Sequence, residues 1–292
     1  MKKKGGGMEN ERAGLFSALN DFRRARRKAN LRKLTARIQG KQRELLSFEK
    51  VKQEAKVTGL YKRYLDDIPV GAIIGSVGRY QDFDDQFLPL DDSDAGRWAR
   101  VKLAQETEGL PPIEVYKISD VYFVLDGHHR VSIARDLAMD TIEAYVNPMR
   151  ANIEISPEDD YDDIILKAER ADFLAKTRLG EIFPDMEFSV TLPGRYKKLF
   201  EHILVHQYYL GLERERDIPL EEAVRSWVKN VYRPAVTGID SSGLLRAFAG
   251  RTQADMYLWI KDNGDVLLKN IQPQSWEQSL VKMVENLFGR GE

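Results

Sequence analysis

The chain of 292 residues has no cysteine. That single absence excludes disulfides, thiolate nucleophiles, cysteine-ligated zinc and cysteine redox chemistry. No stretch approaches the roughly 18 to 20 consecutive apolar residues that span a bilayer. The first residues, MKKKGGGMENER, also lack the apolar centre of a signal peptide, so a cytoplasmic chain without a membrane partner is expected. Repeats and low-complexity tracts are missing as well. Net charge is nearly absent, at −1, but this balance hides an asymmetry. Residues 1–56 hold seventeen Lys/Arg against six Asp/Glu, and the remaining 236 residues carry 28 against 40. A basic arm on an acidic body is the footprint of a polyanion-binding appendage, or of a helix that docks on its own acidic partner.

What is present reads as an α+β protein. Residues 1–11, with Lys2 to Lys4 and three glycines, suggest a disordered tail. From Arg12 to about Lys56 there is no proline and only Gly14 and Gly40 interrupt. Leu15, Leu19 and Phe22 have helical spacing, which Leu31, Leu34, Ile38, Leu45, Phe48 and Ala55 continue more loosely. This predicts a basic amphipathic helix over 12–60, or two helices broken near Gly40. Its basic face carries Arg23, Arg24, Arg26, Arg27, Lys28, Arg32 and Lys33, the candidates for contact with DNA or RNA.

Residues 64–150 read as a compact unit of mixed strands and helices. Ile68-Pro69-Val70 suggests an edge strand, because proline is confined to sheet edges and strand starts. Asp91 to Asp94 supply caps for a helix from about Ala95 to Thr107, which Gly109 and Pro111-Pro112 end. Two β-rich runs around Ser119-Asp120 predict a hairpin, and Thr141 to Val146 a further strand. Residues 151–292 read as mainly α-helical, over about Pro157–Leu179, Pro193–Leu212, Pro219–Tyr232, Pro234–Phe248 and Gln274–Phe288. Between the last two, Asn263-Gly264 is a strong hairpin dipeptide, although a helix-turn element fits there too.

The chemistry concentrates in Asp126-Gly127-His128-His129-Arg130, where the second β-rich run passes straight into helical spacing. A helix that starts there presents backbone N–H groups without intrahelical partners, and anions bind such groups. Gly127 allows close approach, Arg130 supplies a permanent charge, and His128 and His129 add donors. Asp126 orients a histidine, caps the helix, ligates a metal or acts as a base toward a hydroxyl. The plain alternative is an Asp cap before a surface helix. A second glycine-punctuated loop, Gly75-Ser76-Val77-Gly78-Arg79, offers amides and a cation, though it lacks the Gly-Lys-Ser/Thr of a Walker loop.

The hairpin, the turn and the following helix together resemble the ParB/sulfiredoxin superfamily over roughly residues 64–147. The resemblance implies a small mixed-sheet domain whose Gly-x-x-Arg-type turn binds nucleotide phosphates, here through Gly127, His128, His129 and Arg130. It also directs Gly75, Ser76, Gly78 and Arg79 to the same ligand. The cofactor would be CTP, ATP or ADP, with Mg²⁺ where phosphate is transferred. Sulfiredoxin repair needs a cysteine and is excluded. ParB-type partition proteins bind CTP and hold DNA through an attached helical domain. No helix-turn-helix is evident in residues 151–292, so nucleic-acid contact falls to residues 12–56. A free-serine kinase branch carries Asp-Gly-His-x-Arg, the closest wording to this turn, and directs attention to Asp82, Asp84 and Asp85 beside Asp126 as bases.

The expectation is a bacterial nucleotide-binding regulator, with a phosphotransferase or nucleotide hydrolase as the alternative. A scaffold whose basic helix pairs with a partner helix, or with a second copy in a homodimer, is the third class. His202 and His206 lie four apart on a helical stretch, but the Glu of a His-Glu-x-x-His motif and a third ligand are missing, so packing histidines and no metal are expected. Asp159 to Asp163 open a helix and read as dipole compensation, without the glycine and glutamate of a calcium loop.

Overall fold

A computed structural model of the chain describes residues 5–39, 44–109 and 111–269, which divide into two compact units between Ile164 and Ile165. In the first unit, α1 (Gly5–Gln39) leads to β1 (Leu46–Ser47), α2 (Phe48–Glu54), β2 (Tyr64–Pro69) and β3 (Ile73–Ser76). Then follow α3 (Ala95–Glu108), β4 (Ile113–Ile118), β5 (Val121–Asp126), α4 (His128–Asp136) and β6 (Thr141–Met149). The sheet is mixed, in the order β1-β3-β5-β4-β6-β2. Neighbours β1/β3, β3/β5 and β4/β6 run parallel, while β4/β5 and β2/β6 run antiparallel. The predicted hairpin is β4–β5, turning at Ser119, and the proline-containing strand β2 lies at the sheet edge.

Strand β5 explains why its sequence is an unbroken apolar run. Tyr122 and Val124 enter the core on one face with Ile73, Ile113, Val115 and Val131, and Val121 and Phe123 enter the core on the other with Phe48, Val51 and Ile118. A strand covered on both faces has no polar alternation to show.

Three expectations for the N-terminal region change. The helix starts at Gly5 instead of after a disordered tail, since extending a helix anchored at Ala18 and Phe22 costs less than nucleating one; residues 1–4 lie outside the described residues. It ends at Gln39 and does not reach residue 60: β1 and the separate helix α2 follow, as the alternative of a break near Gly40 anticipates. The buried stripe is Ala18, Phe22, Ala25, Ala29 and Ala36, whereas Leu31, Leu34 and Ile38 are exposed, Ile38 by 86%. Small side chains bring α1 close to its neighbours. Phe22 meets Trp98 of α3 edge-on at 5.9 Å, and Trp98 Nε1 donates to Ser132 Oγ of α4 at 3.0 Å. Full burial of each ring contributes about 2–3 kcal/mol, so this stack fixes α3 and α4 beside each other.

In the second unit α5 (Tyr161–Thr177) crosses the boundary, and α6 (Leu179–Ile182), α7 (Arg195–Arg214), α8 (Leu220–Trp227), α9 (Arg233–Ser242), α10 (Leu244–Ala247) and α11 (Gln253–Lys269) follow. The start of α5 is a reciprocal cap: Asp163 N donates to Asp160 Oδ1 at 2.9 Å and Asp160 N to Asp163 Oδ2 at 3.0 Å. Trp227, Tyr232 and Tyr257 pack at centroid distances of 4.9 to 5.8 Å in the core. No hairpin forms at Asn263-Gly264, because Ala254, Tyr257 and Leu258 bury a helical stripe of α11 and Asn263 Nδ2 donates to the Trp259 carbonyl one turn back, at 2.8 Å. The helix expected at Gln274–Phe288 lies outside the described residues.

Candidate functional site

Strand β5 ends at Asp126, and Gly127 takes φ +105° before α4 begins at His128. Only glycine fits there: a Cβ would lie 2.6 Å from Ile113 Cγ2, on top of the unfavourable backbone conformation. The N–H groups of His128, His129 and Arg130 find no acceptor among the described residues, so the positive end of α4 is left open.

His128 is buried and stacked on Phe83 at 6.0 Å. Its Nε2 lies 2.7 Å from Ser76 Oγ, which also accepts from Arg79 N at 3.0 Å. Burial first, then the Arg79 charge, pushes the His128 pKa down to about 4, so the imidazole is neutral near neutral pH. This bond ties the end of β3 to the turn. His129, also buried, sits edge-on to Phe83 at 5.6 Å, with Nε2 3.3 Å from Arg79 Nη1 and 3.5 Å from Asp94 Oδ1. Burial lowers its pKa, against the opposing Asp94 charge. In the neutral form Nε2 accepts from Arg79 and the proton sits on Nδ1, which is buried without a partner among the described residues.

The two arginines expected at the ligand are both engaged. Arg79 donates to Asp82 Oδ2 at 2.6 Å and to Asp94 Oδ2 at 2.7 Å, and lies over the Phe83 ring. Arg130 donates to the carbonyls of Pro111 and Pro112 at 2.8 and 2.6 Å and to Asp126 Oδ2 at 2.5 Å. Between them, Gly78, Arg79, Arg97, Val101 and the segment from Leu125 to Arg130 enclose a cavity of about 260 Å³.

The structure thus gathers Gly78, Arg79, Asp126, Gly127, His128, His129 and Arg130 around one cavity. Ser76 stands behind it through His128. Gly75 serves the sheet instead, since a Cβ there would lie 2.4 Å from Phe123 and 2.5 Å from the Leu46 carbonyl. Asp82, Asp84 and Asp85 do not line the cavity. Asp82 holds Arg79. Asp84 Oδ1 accepts from Gln86 N and Leu88 N at 2.9 and 2.8 Å, and its Oδ2 from Arg32 Nε at 3.1 Å, while burial raises its pKa. Asp85 Oδ1 accepts from Arg32 Nη2 at 2.6 Å.

The same contacts divide the basic face of α1. Arg32 and Arg26 turn inward, Arg26 to Asp92 at 3.0 Å and to the Pro89 carbonyl at 3.2 Å, while Arg23, Arg24, Arg27, Lys28 and Lys33 are exposed. In the second unit His202 Nδ1 lies 3.1 Å from Tyr257 OH and His206 Nε2 2.9 Å from Ser226 Oγ, each histidine joined to a different helix. No group of three metal-capable side chains occurs among the described residues.

Sequence reasoning missed Arg97 and the Pro111-Pro112 carbonyls. Neither carries a local signal: Arg97 reaches the turn only because Trp98 and Ser132 hold α3 against α4. Compared with family models and with curated proteins, the chain matches none.

Proposed function

We propose that this chain binds the phosphate groups of a nucleotide in the cavity at the Asp126-to-Arg130 turn, and acts as a nucleotide-binding regulatory protein of ParB/sulfiredoxin-like type. The observation that carries this reading is the convergence of the unpartnered first amides of α4 with Arg79 and Arg97 around one cavity of about 260 Å³. A helix start beside cations suits a dianion. The cavity is below the roughly 300–1,000 Å³ of sites that engulf a drug-sized ligand, which suits the phosphates of a nucleotide with its base outside.

Phosphotransfer is the second reading, favoured by Asp126 as the one carboxylate among the described residues lining the cavity. Its close pairing with Arg130 suits a counter-ion better than a base. The exposed side chains of Arg23, Arg24, Arg27, Lys28 and Lys33 support a separate polyanion contact.

The test is equilibrium titration of the full chain with CTP, ATP and ADP, with and without Mg²⁺. Saturable binding displaced by pyrophosphate is expected, and no binding of any of them at millimolar concentration overturns the proposal. Product analysis of the same mixtures separates binding from transfer. For the helix, reversing Arg23, Arg24, Arg27 and Lys28 to Glu leaves its packed face intact, and should abolish salt-sensitive nucleic-acid binding.

A further inference from the structure

Three arginines line the cavity, and they differ in what they already hold. Arg79 is bound to two carboxylates and Arg130 to two carbonyls and a carboxylate. Arg97, exposed on the first turns of α3, has no ion-pair or hydrogen-bond partner among the described residues. Engaging Arg79 or Arg130 with a ligand breaks charge-assisted bonds inside the protein, whereas among the described residues Arg97 has no such bond to break. Its charge also reaches the turn, where it is among the influences that keep His129 neutral.

We infer that Arg97 on α3, and not Arg130 of the turn, is the cation that grips the bound phosphate, while Arg130 is a strut tying the start of α4 to the Pro111-Pro112 segment. The inference rests on the phosphate reading of this cavity and specifies the ligand class. A short oligophosphate or phosphomonoester lies between Arg97 and the first amides of α4, with its carbon portion against Val101 and Leu125, the apolar members of the lining. Arg79 contributes field without leaving Asp82 and Asp94. Arginine presents paired donors to phosphate oxygens, so lysine at position 97 should replace the charge but not the whole grip.

The experiment titrates the full chain with inorganic pyrophosphate and with ATP, comparing the parent with Arg97→Gln, Arg97→Lys and Arg130→Gln by calorimetry. Arg97→Gln is expected to weaken both probes roughly 10- to 100-fold, the loss typical of a charge-assisted contact. Arg97→Lys should fall between it and the parent. Arg130→Gln is expected to stay within about threefold of the parent while its thermal midpoint drops; should it not fold, Arg130→Lys takes its place. If the parent binds and Arg97→Gln binds as tightly, the assignment of Arg97 is overturned although the phosphate reading survives. An Arg130 variant that folds and loses as much affinity as Arg97→Gln overturns the assignment too. If the parent binds neither probe, the phosphate reading itself falls, and this inference with it.

Discussion

Helices α4 and α7 begin alike and end up serving different needs. Each starts behind a left-handed glycine, Gly127 at φ +105° and Gly194 at φ +81°, and each carries a pair of histidines. At α7 the protein supplies its own anion: Gly194 N donates to both oxygens of Glu169 at 2.9 Å. At α4 no carboxylate accepts from the first amides among the described residues, and cations gather in its place. The histidines follow suit. His202 and His206 are half-buried and join helices through hydroxyls, whereas His128 and His129 are buried beside Arg79. A helix start that is filled from within reads as architecture, and the one left open among cations is where the proposed function puts an anion from outside.

The glycines provide the largest break in this comparison. Gly127→Ala places a Cβ against Ile113 in a conformation that suits glycine, and should cost roughly 2–5 kcal/mol in urea unfolding. Gly194 has open space around its Cβ position, so Gly194→Ala should cost about 1 kcal/mol for backbone strain alone. Equal losses at the two sites would mean that Ile113 yields and that the turn is not held as tightly as its contacts imply.

The next effect is on pH dependence. The folded state holds the His128 pKa near 4, below its ordinary value of 6.5, so protonation favours the unfolded chain. The stabilisation is complete above pH 6.5 and drains away as the pH falls toward 4. On the order of 3 kcal/mol separates the ends of that window for this one group. Carboxylates titrate there too, so the measurement is the difference between the parent and His128→Gln across the window. His202 and His206 shift in the same direction through burial, but each keeps contact with solvent, and replacing them should flatten the curve less.

Much of this comparison was legible in the sequence where the signals are local. The hairpin at Ser119-Asp120, the apolar run of β5 and the Asp-Gly step into α4 lie within a few residues of one another, and each has a direct physical cause. The arm was harder. Alanine contributes little to an apolar pattern, so the buried stripe of Ala18, Ala25, Ala29 and Ala36 was invisible beside the louder but exposed Leu31, Leu34 and Ile38. The acidic loop was hard to read for a related reason: the Arg32 that donates to Asp84 and Asp85 lies on α1, 52 and 53 residues away. Arg97 belongs to the same class, since its place at the cavity comes from the Phe22–Trp98–Ser132 stack and not from its neighbours in the chain.

The internal anion of α7 sharpens the contrast on a smaller scale. Glu169→Gln retains an acceptor for Gly194 N but removes the charge at the helix start, and should cost about 0.5–1 kcal/mol, less at high salt. An effect that ignores salt would point to the hydrogen bond and not to the charge.

The smallest effect separates the two roles open to Asp126. Its carboxylate stands at the cavity and neutralises part of Arg130 from 2.5 Å, so as a counter-ion it also repels any incoming phosphate. Asp126→Asn should then strengthen pyrophosphate binding, by roughly threefold given the weak coupling of charges near solvent. The gain stays small because Arg130 remains fastened to the Pro111 and Pro112 carbonyls and does not swing toward the ligand. A general base behaves differently: its removal leaves affinity nearly unchanged and abolishes a phosphorylated product. Titration and product analysis on the same variant therefore distinguish a carboxylate that guards the open start of α4 from one that works on what binds there.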